Sequence, residues 1–209
     1  DAYEMIDGTP FDWNNPEHKS NPYANRDPRL AMSILTNNVE FKDRTIEAWT
    51  GGRDGKGVIH ATRTGYYIYK FIDPNLDLLQ NRTSVHHWVI MRYAEILLSY
   101  AEAMNEAYGP TGNVGYRLNA VRALNQVRNR VGVEMPAVPT AISKEELREK
   151  IRNERRVELA FEDHRFWDVR RWMIAPETLG APLRGVEITK ISDEEFEYKP
   201  IEVEKRTFE

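Results

Sequence analysis

Three stretches in the second part of the chain carry apolar residues at the three- and four-residue spacing of an amphipathic helix. The first covers residues 88–107 and stops before Gly109. The second covers about residues 116–131 and stops at Gly132, and the third begins at Ser143, where the sequence SKEE predicts a capping box. The first two should pair as an antiparallel hairpin. The positions predicted to face inward are Tyr93, Ile96, Leu97, Tyr100, Ala101 and Met104, then Leu118, Val121, Leu124 and Val131, then Leu147 and Ile151.

The first 73 residues follow another pattern, in which prolines and asparagines recur between short apolar runs. Proline fixes one backbone angle and removes a hydrogen-bond donor, so this spacing favours turns and long loops. The runs LAMSILTNNVEF and TGYYIYKF are rich in β-branched and aromatic residues and predict short strands. The run TGGRDGKG between them matches neither a Walker loop nor a dinucleotide fingerprint, and it is expected to be a mobile connection.

The change of pattern near residue 76 divides the chain into two regions. Residues 1–75 are predicted to be loop-rich with short strands and to carry the candidate ligand-binding surface. Residues 76–209 are predicted to be helical. The two regions are expected to form one structural unit, because 209 residues suffice for one sizeable core.

The amino-acid composition disfavours or excludes several classes of partner and site. The chain has 29 basic and 33 acidic residues, a formal charge of −4, which disfavours nucleic acid as a partner. It has no cysteine, so disulfides, zinc thiolate sites and thiol nucleophiles are excluded within it. Its sequence has no run of about 20 apolar residues that could span a bilayer.

The stretch NERRVELAFEDHRFWDVRRW, residues 153–172, mixes charged residues with apolar and aromatic ones. Glu154, Glu158 and Glu162 recur every four residues, a spacing at which like charges repel on an exposed helix. They should therefore have cationic partners, either nearby or on a neighbouring helix, whereas Arg128 and Arg130 of the second helix are expected to face mostly outward. The nearby candidates are Arg152, Arg155, Arg156 and Arg165. The stretch is predicted to be a partly buried scaffold, in which Trp167 and Asp168 also help to fix helix packing.

Catalytic and metal-binding interpretations of the same stretch find little support. His164 and Asp168 lie four residues apart, but two ligands do not complete a metal site and no HExxH motif is present. No G-x-S-x-G elbow occurs. The pair His86-His87 fits either a solvated turn or a ligand contact. The sequence thus predicts no catalytic residue, no metal and no cofactor.

Three segments carry a family resemblance, namely MRYAEILLSYAEAMNE, ALNQVRNRVGV and LREKIRNERRVELAFEDHRFWDVRRW. Their order is typical of the SusD/RagB outer-membrane nutrient-binding lipoproteins, and RDPRL and TGYYIYKF resemble the segment before those helices. The resemblance implies a mainly α, SusD-like fold with tetratricopeptide-like helix pairs, long loops and a few short strands.

The resemblance also implies a function. Such proteins bind glycans, or peptides in some members, without catalysis. They act in polysaccharide utilisation as lids over a TonB-dependent SusC-like transporter, at the cell surface of Bacteroidetes-type outer membranes. The family pattern includes a signal peptide, a lipid-bearing Cys, further N-terminal helical repeats and a closing segment, so this sequence is expected to be a fragment without its anchor.

Ligand recognition is expected in the loops of the first region, because sugar sites combine an aromatic face with hydrogen-bonding side chains. The predicted ligand-binding residues are Trp13 with Asn14 and Asn15, Tyr23, and Trp49 with Arg53 and Asp54. An equally simple interpretation is that the tryptophans fill the gap between loops and helices. The alternatives to glycan binding are a peptide-binding RagB-like subunit, a helical-repeat interaction scaffold and a glycoside hydrolase.

Overall fold

The computed structural model describes residues 1–77, 79–85 and 87–208, so His86 of the predicted turn lies outside the described residues. The chain divides into two compact units. Both draw on segments from either side of residue 75. The first unit comprises Asp1–Phe11, Asn25–Arg29 and Trp88–Trp167, and the second comprises Asp12–Ala24, Leu30–His87 and Asp168–Glu209.

Short helices and strands in the first part of the chain precede a series of helices, and a pair of strands follows that series. The helices are α1 Pro16–Ser20, α2 Arg29–Ser33, α3 Tyr93–Tyr108, α4 Ala120–Arg128, α5 Lys144–Glu158, α6 His164–Arg171 and α7 Ala175–Leu179. The strands are β1 Ile34–Leu35, β2 Glu40–Phe41, β3 Arg44–Thr45, β4 Tyr67–Ile68, β5 Leu183–Lys190 and β6 Phe196–Glu204.

The first unit is built on α3, α4 and α5, which pack against one another around an apolar core. The core confirms most of the inward positions that the helical spacing predicts. They include Leu97, Ala101, Met104, Val121, Leu124, Leu147 and Ile151.

Three of the predicted inward positions are exposed instead. Tyr93 and Ile96 lie in the first turn of α3, which begins five residues later than the predicted start at residue 88. Val131 lies beyond α4, because that helix ends at Arg128 and the chain turns away. In each case the helix is shorter than the apolar pattern, so the outermost positions do not lie over the core.

The capping box that begins α5 is present as predicted. Ser143 accepts a hydrogen bond from the backbone N–H of Glu146 at 3.1 Å, and the Glu146 carboxylate accepts from the backbone N–H of Ser143 at 3.0 Å. The helix ends at Glu158 without a glycine or proline. Phe161 and Asp163 both adopt a left-handed backbone conformation with φ of +64°, and α6 begins directly afterwards. The acidic series therefore leaves the helix before Glu162.

Two carboxylates of α5, those of Glu154 and Glu158, are buried in a network of ion pairs within the first unit. Glu158 accepts from Arg29 at 2.9 Å, from Arg92 at 2.7 Å and from Arg130 at 2.8 Å. These three cationic partners come from segments that are distant from Glu158 in the sequence.

Arg128 corrects the prediction that the arginines of the second helix face outward. Its side chain is almost fully buried, and its guanidinium binds Glu154 at 2.8 Å and Glu4 at 2.9 Å. Glu4 also accepts from Lys150 at 2.7 Å. Helical spacing predicted that Arg128 lies on the polar face of α4. The guanidinium group is buried all the same, because the buried carboxylate of Glu154 on α5 is its partner.

The second unit contains three two-stranded antiparallel pairs. The predicted strands β1 and β4 pair in the register Ile34↔Ile68, and β2 pairs with β3. The longest pair joins β5 and β6 in the register Ile188↔Tyr198. This hairpin lies within the range that the sequence predicts as helical, although Val186 and Ile188 alternate with polar residues as a half-buried strand requires.

The burial of Glu158 leads to a prediction about stability. We expect Glu158→Gln to lower the free energy of unfolding by roughly 3–5 kcal/mol, because it leaves the surrounding guanidinium groups without their shared negative charge. Chemical denaturation of the purified variant measures this loss. Glu149→Gln on the exposed side of α5 is the matched control, since Glu149 makes only a surface ion pair with Arg152. Equal stabilities of the two variants would contradict the buried-network interpretation.

The same carboxylate leads to a prediction about pH. Burial alone would raise the pKa of Glu158, but hydrogen bonds from Arg92, Arg29 and Arg130 outweigh it and lower the pKa from 4.5 to about 2. The folded state therefore releases this proton more readily than the unfolded state. The stability gained is present above about pH 4.5 and is lost as pH falls towards 2, by about 3 kcal/mol. Urea titrations of the wild type and Glu158→Gln across this range should converge at low pH, and parallel curves would refute the assignment.

Candidate functional site

The predicted ligand-binding residues lie in the second unit, where the aromatic ones share one cluster. Trp13, Tyr23 and Trp49 are half-buried and pack against the same set of buried side chains. That set consists of Leu35, Ile46, Ala48, Val186, Ile188 and Tyr198. The cluster therefore brings together aromatic residues that lie far apart in the sequence, and each of these residues is partly exposed.

A series of ring contacts links Tyr23 to Trp49. The Tyr23 ring meets Tyr198 edge to face, with 5.3 Å between the ring centroids. Tyr198 lies 6.4 Å from Phe196, and Phe196 lies 5.4 Å from Trp49. Tyr198 and Phe196 alternate on one face of β6 and were missed by the sequence analysis. The alternation in FEYKP could have identified them, had that segment been interpreted as a strand.

The loop that follows Trp49 folds back against its indole ring. A Cβ atom at Gly52 would lie 2.9 Å from the Trp49 ring and 2.4 Å from the carbonyl oxygen of Glu47, so only glycine fits there. The ammonium group of Lys190 lies 5.0 Å from the centroid of the same ring. Trp49 is thus held in position by the TGGRDGKG loop and by the end of β5.

Asp54 organises this loop. Its carboxylate accepts two hydrogen bonds of 2.7 Å from the guanidinium group of Arg44 and one of 2.9 Å from the backbone N–H of Glu47. The hydrogen bond from Arg44 is the main cause that lowers the pKa of Asp54. The neighbouring Arg53 is exposed. Of the two predicted contacts, Arg53 is accessible to a ligand, whereas Asp54 maintains the loop.

In the turn around Trp13, too, one predicted polar residue is exposed and another supports the backbone. Asp12 accepts hydrogen bonds from the backbone N–H and the side-chain amide of Asn14, at 2.8 and 3.0 Å. The side-chain oxygen of Asn15 caps α1 by accepting from the backbone N–H of Glu17 at 2.9 Å. Asn14 is exposed beside Trp13, while Asn15 supports the local backbone.

The first unit contains a feature that the sequence analysis missed. A cavity of about 490 Å³ lies at the junction of α5 and α6 and is lined by Leu159, Phe161, Asp163, Arg165, Phe166 and Trp167. The Trp167 side chain is 67% exposed, so it does not have the buried scaffold role expected of it. The turn between the two helices releases these aromatic residues from the buried face, and no glycine or proline in the sequence marks that turn.

The described part of the chain has neither a cluster of metal ligands nor a helix that could span a membrane. Across residues 1–77, 79–85 and 87–208, no three or more His, Asp or Glu side chains are grouped as metal ligands. Within the same ranges, no helix combines the length and the apolar character needed to cross a bilayer.

The two roles in the Trp49 loop can be separated by mutation. We expect Asp54→Asn to lower the free energy of unfolding by roughly 1 kcal/mol, because it removes the charge that Arg44 binds at two points. Arg53→Ala should leave stability unchanged, since its side chain is exposed. Thermal melts of both variants test this. A larger loss for Arg53→Ala than for Asp54→Asn would reverse the assignment.

Known proteins resemble the chain in sequence and in structure. A solved SusD-like carbohydrate binding protein from Bacteroides fragilis matches all of this chain with a TM-score of 0.75 and 29% identity, and 42% of that protein is covered. A second solved SusD-like protein from the same species has a TM-score of 0.75 and 32% identity, with 41% covered. SusD-like protein P2 of Formosa agariphila is 34% identical over 120 residues, which are 55% of this chain and 22% of that protein.

These comparisons confirm the predicted fold class, which is mainly α with long loops and a few short strands. The chain spans about two fifths of the length of the solved proteins. The sequence profile of the SusD family matches residues 1–209. Because this match extends over the whole chain, the chain belongs to the SusD family.

Proposed function

We propose that the chain binds glycans, without catalysis, through the half-buried aromatic cluster of Trp13, Tyr23 and Trp49. The observation that carries the proposal is the convergence of these three rings on one cluster with polar side chains at its edge. The first Bacteroides fragilis protein is described as carbohydrate binding, and this description together with family membership supports the same ligand class.

The chemistry of the cluster suits a sugar ring. One face of a pyranose carries C–H groups and packs on a flat aromatic surface, while its hydroxyl groups need hydrogen-bond partners. Exposed Asn14, next to Trp13 in the sequence, offers an amide donor and acceptor, and exposed Arg53 in the loop that follows Trp49 offers guanidinium donors. Both tryptophans are held by surrounding contacts, so little conformational entropy is lost when a ligand binds.

The acidic residues of α5 support binding without hydrolysis. A glycoside hydrolase needs a carboxyl group with a raised pKa that donates a proton to the leaving group. Hydrogen bonds from three arginines instead lower the pKa of Glu158, and Glu162 is bound by Arg92 at 2.7 Å. The Glu158 carboxylate therefore remains charged, and both carboxylates are occupied by arginines, which suits a structural role.

We further propose that the protein works at the outer membrane. In this proposal a lipid anchor holds it at the cell surface, and it passes captured glycan to a TonB-dependent SusC-like transporter. Family membership supports this arrangement. Peptide binding of the RagB type is the alternative that shares the same partner and location, and the ligand experiment below distinguishes the two.

We expect Trp13→Ala and Trp49→Ala each to weaken glycan binding about tenfold or more, because each removes a ring on which a sugar can stack. Isothermal titration of the 209-residue chain against cellohexaose, xylohexaose, mannohexaose and maltohexaose, with a mixed peptide pool alongside, measures the effect. Trp88→Ala is the matched control, since Trp88 is 71% exposed and belongs to the first unit.

The outcomes separate the candidate functions. Glycan binding that is weakened in both cluster variants and unchanged in Trp88→Ala supports the proposal. Binding of peptides alone favours the RagB-type alternative. Glycan binding that survives in both cluster variants would remove Trp13 and Trp49 from the site, and release of a shorter oligosaccharide would indicate an enzyme.

A further inference from the structure

The cavity at the junction of α5 and α6 and the aromatic cluster are formed by different residues. All six lining residues belong to the first unit, whereas Trp13, Tyr23 and Trp49 belong to the second. Leu159 at the cavity is buried in the helical core, so the cavity adjoins the apolar core of that unit. Its volume of about 490 Å³ falls within the range of small-molecule sites.

Two aromatic side chains are exposed side by side at this cavity. Trp167 is 67% exposed and Phe166 is 49% exposed, and their rings meet edge to face with 5.1 Å between centroids. Phe161 on the preceding turn is exposed as well. Neighbouring aromatic rings that remain in contact with water lose the free energy of burial, and such patches mark interaction sites.

The turn that carries Phe161 is held in an unfavourable backbone conformation. Phe161 and Asp163 both have φ of +64°, a region that costs free energy for residues other than glycine. Glu162 between them is fixed by the guanidinium group of Arg92, through hydrogen bonds of 2.7 and 2.8 Å. The buried ion-pair network thereby maintains the strained turn and positions the cavity wall.

The polar groups of the cavity identify the class of ligand. Asp163 supplies a hydrogen-bond acceptor and Arg165 supplies donors, and their charges cancel. A purely apolar ligand would remove these charged groups from water without replacing their hydrogen bonds. A charged ligand would meet no excess of opposite charge. A polyhydroxylated ring satisfies both groups and places its C–H face on the indole.

We infer that this cavity is a second carbohydrate-binding site, in which the Trp167 indole stacks on a sugar ring while Asp163 and Arg165 form hydrogen bonds with its hydroxyl groups. The inference rests on the proposed function, that the chain binds glycans, and adds a site to it.

The test uses the indole N–H resonances of the five tryptophans in the ¹⁵N-labelled chain. Cellohexaose, xylohexaose, mannohexaose and maltohexaose are added separately, and each resonance is assigned by single substitution. We expect at least one of these hexaoses to shift the Trp167 signal. We also expect Trp167→Ala to weaken binding at this site about tenfold, and Trp167→Phe to retain most of it because a flat ring remains.

Trp88→Ala is the control for exposure, because Trp88 is as exposed as Trp167 and does not line the cavity. Thermal melts verify that each variant is folded. A hexaose that shifts the Trp13 or Trp49 signal but never that of Trp167 would overturn the second site and leave the proposed function standing. If no hexaose shifts any tryptophan signal, the proposed function fails and the second site fails with it.

Discussion

The first unit depends on one carboxylate, that of Glu158, which arginines from three separate segments share. Arg29 begins α2, Arg92 precedes α3 and Arg130 follows α4, so a single buried charge ties the ends of these segments to α5. A buried carboxylate loses its hydration, and several guanidinium groups are needed to replace it. The arginines depend on Glu158 in turn, because each guanidinium group beside it also needs a negative charge as partner. The network therefore specifies which segments meet, an outcome that apolar packing alone leaves less defined.

The stretch that contains Glu158 serves two physical roles in succession. Up to Glu158 its acidic residues lie on a helix and are buried in the unit, and beyond the left-handed turn Phe166 and Trp167 are exposed to solvent. Arg92 joins the two halves, since it binds Glu158 on the helix and Glu162 in the turn. The charge network thus supports both the core and the exposed aromatic surface. The same stretch of sequence can therefore combine buried charged residues with exposed aromatic rings.

Sequence patterns predicted what depends on local spacing. The capping box at Ser143 and the inward residues in the middle of α3 follow from rules that span four residues, and the structure confirms them. The partners of Glu158 could not be predicted, because Arg29 lies 129 residues away and nothing local marks it as buried. The break after Glu158 was also missed, since left-handed Phe161 and Asp163 replace the glycine that usually marks such a turn. Long-range charge pairing, rather than propensity, determines these features.

Local sequence patterns also could not predict which of the candidate binding residues are exposed and which hold the loops. The structure brings the three aromatic residues into one cluster, but proximity in sequence does not distinguish a polar side chain that can contact a ligand from one that holds the loop. Asp54 and Asn15 are engaged by Arg44 and by the start of α1, whereas Arg53 and Asn14 are exposed. Under the proposed glycan binding the engaged residues still contribute, because a rigid loop loses less entropy when a ligand is captured. A sugar site on loops therefore needs two sets of polar residues, and only the accessible set can form hydrogen bonds with the sugar.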